Sequence, residues 1–234
     1  MIFQDETLHS AENRRLFKSV LVVAGPIALQ SLIASSLNLV DNLMVGALGE
    51  LALNAVGVSV QLFFVYWMFV FGFVSGAATF MAQFYGANDL VNIHRTTGFS
   101  LCVVFCMGVL FFLAALCFPQ YVLRVFTKYP EVIEAGIPYV RTGAFTFLLV
   151  PITQAFTVAL RSTQQTHLPL IASVTGLCTN TFMNYCLIYG NFGLPRMEIQ
   201  GAALATAISR LVEMLILLFF VFGRNNILKG PIGE

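Results

Sequence analysis

The chain has 234 residues, 58% of them hydrophobic and 10% charged, with a formal net charge of +1. Soluble domains carry about 25% charged residues, so a water-solvated globule is excluded and a polytopic membrane protein is indicated. The near-neutral balance offers no basic surface, which sets nucleic-acid binding aside.

Met1 to Lys18 (residues 1–18) reads as a cytoplasmic polar arm ending in Arg14, Arg15 and Lys18, with no signal-peptide pattern. The first span follows, within Val20 to Gly49, a stretch whose one charge is Asp41 and whose one proline is Pro26. A helix needs about 20 mostly apolar residues to cross a bilayer, so this stretch is long enough. A carboxylate in such a span is costly and normally faces a bundle interior or a watery cavity. Asp41 is therefore a candidate proton or cation site, and its nearness to the glycine-rich end of the stretch leaves a headgroup position open. Pro26 denies the helix a hydrogen bond and predicts a bend.

Span two runs from about Leu51 to Met81, with Gly72 and Gly76 forming a GxxxG step that fits either a close helix approach or chance. Tyr66 and Trp67 lie in mid-segment, where they either line a cavity or pack against neighbours. Gln83 to Arg95 reads as a polar connector, and span three covers roughly Thr97 to Phe118. Pro119 to Pro138 reads as the longest loop, carrying a short interfacial helix. Span four, about Tyr139 to Leu160, contains Pro151 and Gln154, and Arg161 to His167 reads as a tight polar turn. Span five, Leu168 to Tyr189, carries an internal polar row of Thr175, Thr179, Asn180 and Asn184. Span six, Gly201 to Phe222, contains Arg210 and Glu213, and residues 224–234 read as a polar cytoplasmic tail or the start of a linker to a second lobe.

Lysine and arginine in short loops set orientation. Arg14, Arg15, Lys18, Arg95, Arg161, Arg224 and Lys229 fall on one side, against Arg124, Lys128, Arg141 and Arg196 on the other. That bias predicts cytoplasmic termini. The cysteines Cys102, Cys106, Cys117, Cys178 and Cys186 lie in apolar stretches with no CxxC pair, which predicts buried free thiols.

Asn180 and Asn184 are four apart and share one helix face. Unsatisfied amides are expensive in hydrocarbon, so the pair needs partners or water. If span five lies beside span one, the amides surround Asp41 and supply oxygen ligands suited to a hard cation. The alternative is interhelical glue. Arg210 and Glu213, three apart on a helix, read as a structural ion pair. No catalytic motif stands at usable spacing, and an enzyme is not expected.

On these residues the sequence resembles the multidrug and toxic compound extrusion (MATE) family of secondary transporters. The matching pieces are Pro26 with Gln30, VDNLMVGALG from Val40, AQFYGAND from Ala82, RSTQQTHLP from Arg161, TNTFMNY from Thr179 and GAALATAISR from Gly201. The resemblance implies an all-α membrane protein: a six-transmembrane-helix bundle (residues 19–223) that forms one lobe of a twelve-helix, two-lobed transporter. It implies export of organic, often cationic, drugs and xenobiotics in exchange for H⁺ or Na⁺ as coupling ion, with no cofactor, across the plasma membrane. Asp41 matches the span-one acid of bacterial members, and Asn180 and Asn184 match polar positions near it, with Na⁺ at Asp41 as one option. Some members place a second acid where Asn184 stands, which leaves the coupling ion open. Gln30, Asn38, Tyr66 and Gln154 are candidates for the cavity lining. The six-span length implies an N-terminal half that works with a C-terminal six-span lobe or with a second copy. Two alternatives stand beside this: a transporter like the flippases of lipid-linked oligosaccharides, and a non-transporting membrane interaction protein.

Overall fold

The computed structural model describes residues 24–36, 38–223 and 228. The polar arm, the start of span one and, apart from Leu228, the tail lie outside the described residues. All regular structure among the described residues is helical: α1 (24–36 and 38–46), α2 (Glu50–Gly86), α3 (Leu90–Cys117), α4 (Pro119–Arg124), α5 (Pro130–Gly143), α6 (Thr146–Ser162), α7 (His167–Tyr189) and α8 (Glu198–Gly223).

Three of these, α2, α3 and α8, are long and apolar enough to cross a membrane singly, and α5 with α6, bent by 50° at their junction, are so only when taken together. At 37 residues, α2 is about 55 Å long and outruns a hydrocarbon core of about 30 Å. It therefore takes in the start of the expected connector, Gln83 to Gly86, and α3 takes in its end, Leu90 to Arg95. That connector shrinks to three residues, Ala87 to Asp89, and Asp89 caps α3 by accepting a hydrogen bond from the Asn92 backbone N–H at 3.1 Å. α7 has 23 residues but falls short of the apolar class, because Asn180 and Asn184 lower its hydropathy.

The expected loop from Pro119 to Pro138 is a correction. It holds two helices, each opened by a proline at its first turn, where a missing N–H costs nothing. The second runs on into span four. That span is itself broken at Ala144 and Phe145, where the Phe147 and Leu148 N–H groups bond three residues back, at 2.9 and 3.1 Å. Pro151 lies just beyond the break. It has no N–H for the Phe147 carbonyl, and the Tyr66 hydroxyl of α2 donates to that oxygen instead, at 3.0 Å. α3 passes close by: a Cβ on Gly108 would stand 2.2 Å from the same carbonyl oxygen.

Apolar clusters pack the bundle. One joins Leu62, Tyr66, Val70, Val104, Val140 and Phe147; a second joins Met81, Ile93, Phe156, Leu160 and Leu217; a third joins Val45, Val56, Tyr139, Ile188 and Ala203. The outer surface is also apolar, with Phe64, Phe69, Phe99, Leu110 and Phe219 exposed, as a lipid solvent permits. Four of the cysteines share that surface and only Cys186 is buried, though all are free. The expectation of buried thiols therefore fails for Cys102, Cys106, Cys117 and Cys178. Gly72 and Gly76 are approached by nothing within 4 Å of a built Cβ, so they make no close helix contact among the described residues.

Candidate functional site

Two helices distant in sequence set the site. α7 is locked against α8 by small residues: a Cβ on Gly201 would meet the Leu187 backbone at 2.7 Å, and one on Gly176 would meet Glu213 at 3.2 Å. This close packing turns one face of α7 toward α1. On that face Asn180 and Asn184 are 5% and 1% exposed, and the Asn184 Nδ2 donates to Asp41 Oδ1 at 2.6 Å. Asn184 Nδ2 also lies 3.3 Å from the Asn180 Oδ1. The lone acid of span one and the amide pair of span five are therefore in contact.

The amides define what the carboxylate can hold. With its nitrogen turned toward Asp41, Asn180 donates to both carboxylate oxygens at 2.9 Å. With its oxygen so turned, Asn180 accepts from Asn184, and a proton or cation is needed between the two acceptors. The buried Asn184 Oδ1 is left without a partner. An orphaned acceptor in a buried site is costly, and here it adds an oxygen beside a carboxylate. On the next helix, Thr206 Oγ1 lies 3.4 Å from Asn180 Nδ2.

Asp41, Asn180 and Asn184 line a cavity of about 460 Å³ together with Asn38, Tyr66, Trp67, Tyr139, Thr206, Arg210 and Glu213. Tyr66 belongs as much to the core as to this wall: it is 2% exposed and its hydroxyl is held by the Phe147 carbonyl. A second cavity of about 550 Å³ shares Trp67, Arg210 and Glu213 and extends to Gln30, Gln154 and Arg161. Both volumes suit a drug-sized molecule. A larger cavity of about 750 Å³, walled by Arg124, Lys128 and Glu134, lies at α4 and α5, away from Asp41.

The second cavity holds a continuous polar chain. Arg161 Nη2 donates to Gln30 Oε1 at 2.6 Å, Gln30 Nε2 donates to the Ser173 hydroxyl, and Ser173 donates to Glu213 Oε1 at 2.6 Å. The expected ion pair closes it, with Arg210 Nη1 at 2.7 Å from Glu213 Oε2. Of the other expected residues, Asn38 is exposed on the first cavity's wall, and Pro26 stands one turn before Gln30 on α1.

The sequence reading missed Arg161 and Ser173. Arg161 was assigned to a polar turn, yet it lies in the last turn of α6 and reaches inward. The signal was a polar row at helical spacing, Thr153, Thr157 and Arg161. Ser173 likewise shares a face with Asn180 and Asn184 at seven- and four-residue steps.

A helical bundle that brings a half-buried carboxylate, two buried amides and an ion pair to shared cavities defines a polytopic membrane protein with a polar interior. The sequence model of the MatE family matches residues 26–186, and the chain belongs to that family. It is similar to the probable multidrug resistance protein YoeA of Bacillus subtilis, with 28% identity over 92% of this chain and 46% of that one. It is also similar to the probable multidrug resistance protein NorM of Thermotoga maritima, with 29% identity over 91% of this chain and 45% of that one. The chain thus spans about half the length of the curated relatives it matches.

Solved structures share the fold. A multidrug resistance MATE family transporter of the MOP superfamily, described as outward-facing, superposes with a TM-score of 0.81 at 23% identity, over 90% of this chain and 46% of that one. A MOP superfamily transporter from Pyrococcus furiosus, described as having a binding pocket of reverse polarity, gives 0.81 at 23% identity, with the same coverages.

Proposed function

We propose that the chain is the N-terminal lobe of a cation-coupled exporter of organic compounds, seated in the plasma membrane with both termini cytoplasmic. The observation that carries this reading is the Asp41–Asn184–Asn180 contact inside a drug-sized cavity, supported by family membership and by the named functions of the relatives.

Asp41 takes up the coupling ion, H⁺ or Na⁺. Without the ion, the carboxylate is held by amide N–H groups. With it, the Asn180 oxygen and the unpartnered Asn184 Oδ1 turn to the bound charge, because each amide offers a donor at one end and an acceptor at the other. Binding removes a net charge from a low-dielectric interior, where charge is expensive, and so favours a drier cavity. Pro26 lets α1 bend as the water leaves, and the shrinking cavity expels its cargo. Gln30, Asn38 and Gln154 give the cargo its polar contacts, and Trp67 its apolar one. The organic cation and the coupling ion compete for the same negative charge, which makes the exchange obligatory. A second six-span lobe completes the transporter.

The test is efflux of a fluorescent organic cation from cells carrying the gene. Asp41→Asn at matched membrane levels should reduce efflux by tenfold or more, about the effect of 1.4 kcal/mol. Undiminished efflux would overturn the reading.

A second reading, an anionic lipid-linked cargo, is favoured by one observation: Arg161 joins Arg210 in lining the second cavity, against Glu213 alone. Movement of such a lipid with no dye efflux would select it.

A further inference from the structure

Glu213 is fixed from two sides. The Ser173 hydroxyl of α7 donates to its Oε1 and Arg210 to its Oε2. Its side chain is 7% exposed, whereas that of Arg210 is 42% exposed. The carboxylate is the anchored partner and the guanidinium the free one. Arg210 directs Nη1 at Glu213, and a guanidinium carries five donors.

Arg210 also answers to a second carboxylate. It lines the same cavity as Asp41, and its charge reaches Asp41 electrostatically. It stands one turn beyond Thr206, which lies against Asn180, itself beside Asp41. The groups that share the cavity with Asp41 include Asn180 and Asn184 of α7, Tyr139 of α5, which feels its charge, and Arg210 and Glu213 of α8. Among these, Arg210 alone is a cation. Nor is Glu213 stranded if Arg210 leaves. Ser173 still donates to it, and the charge of Arg161 reaches it through the Gln30 bridge.

We propose that Arg210 is a mobile counter-ion shared by two carboxylates, paired with Glu213 while Asp41 holds its coupling ion and moved onto Asp41 when that ion leaves. This rests on the reading of Asp41 as the ion site and deepens it. A bare carboxylate in a membrane interior is expensive, and a resident guanidinium lowers the cost of the ion-free state. It thereby competes with the incoming cation and sets its affinity. The exchange breaks and makes no covalent bond: one cation leaves Asp41, one guanidinium arrives, and Glu213 stays ionised. Arg210 is a positioning residue for the ion, not a contact of the cargo.

The experiment compares the gene product in proteoliposomes with Arg210→Gln/Glu213→Gln, Arg210→Gln and Asp41→Asn. It reads the concentration of coupling cation that half-saturates exchange, beside the thermal midpoint. A structural ion pair predicts that removing both charges restores wild-type behaviour, since neither is then left unpaired. The counter-ion predicts a near-normal thermal midpoint with half-saturation at a roughly tenfold lower cation concentration. It also predicts slower net efflux, because release from Asp41 has lost its replacement charge.

Wild-type half-saturation in the double variant overturns the proposal while Asp41→Asn still abolishes cation dependence. If Asp41→Asn keeps that dependence, the underlying reading fails and the counter-ion with it. Should the double variant not accumulate, Arg210→Gln alone decides: a lowered half-saturation supports the proposal, and an unchanged one overturns it.

Discussion

Asp41 and Asn184 meet across 143 residues of sequence, and Gln30 and Ser173 meet across the same separation, eleven residues earlier on the same two helices. An equal offset means that α1 and α7 run parallel in fixed register. Eleven residues close three helical turns, so both rungs lie on one face. α1 is thus latched to α7 at two levels, one holding the candidate ion site and the other tied to Glu213 and Arg161. Ser173→Ala removes the middle link of the second latch, since Ser173 both accepts from Gln30 and donates to Glu213. Interhelical hydrogen bonds in membranes contribute about 0.6 kcal/mol each, at most about 1.7. The substitution should lower stability by about 1 kcal/mol, read as a thermal midpoint in detergent, while Ser173→Thr retains most of it.

Asp89 gives a pH dependence outside the membrane. The Asn92 backbone N–H, then its side-chain amide, and also the charge of Arg95 hold the Asp89 carboxyl below its ordinary value. A folded-state value lower than the unfolded one, about 3.9, contributes stability above that unfolded value and loses it as pH falls through the folded one. The stability difference between the wild-type chain and Asp89→Ala should therefore stay constant from neutral pH down to about 5 and shrink below about 4. Amide exchange at Asn92 against pH measures it.

Much of the candidate site was legible because intramembrane polar groups are few and expensive. Asp41 stood out as the one charge in its stretch, and Asn180 with Asn184 as amides on one face. Their meeting depended on α1 lying beside α7, which no local pattern states. Arg161 was hidden by its company: the polar residues after it make a convincing turn, and only the row from Thr153 shows that the helix face continues to it. The cysteines were misjudged for a different reason. A bundle in lipid is apolar outside as well as inside, so apolar neighbours do not separate core from surface. Pro151 was visible, but its consequence lies four residues back, where two other helices decide how the break is completed.

The glycines divide by what approaches them. Gly108→Ala drives a Cβ to 2.2 Å from the Phe147 carbonyl oxygen, and Gly201→Ala to 2.7 Å from the Leu187 backbone. Backbone atoms cannot step aside as a flexible side chain can, so helices must part. Each should cost about 1–3 kcal/mol, as overpacking does. Gly72→Ala and Gly76→Ala meet nothing within 4 Å among the described residues and should leave the thermal midpoint of the chain unchanged. A drop at Gly72 or Gly76 equal to that at Gly108 would refute this assignment.

Tyr66 and Pro151 are coupled through an atom that belongs to neither. Pro151 cannot donate to the Phe147 carbonyl, and the Tyr66 hydroxyl does so at 3.0 Å. Tyr66→Phe keeps the ring against Phe111 and Phe147 and removes only that donor. It leaves a buried carbonyl unpartnered, at a cost of about 1–3 kcal/mol. Pro151→Ala restores a backbone N–H that can complete the helical bond, so Tyr66→Phe should cost much less in the Pro151→Ala background. The double-mutant cycle should return a coupling of about 1 kcal/mol or more, within the range for residues that share a partner. Additive effects would mean that the carbonyl finds its donor elsewhere. The same cycle run on efflux separates fold from function: if the broken helix serves only packing, transport should follow the thermal midpoint, and any excess loss places the α5–α6 bend in the transport step.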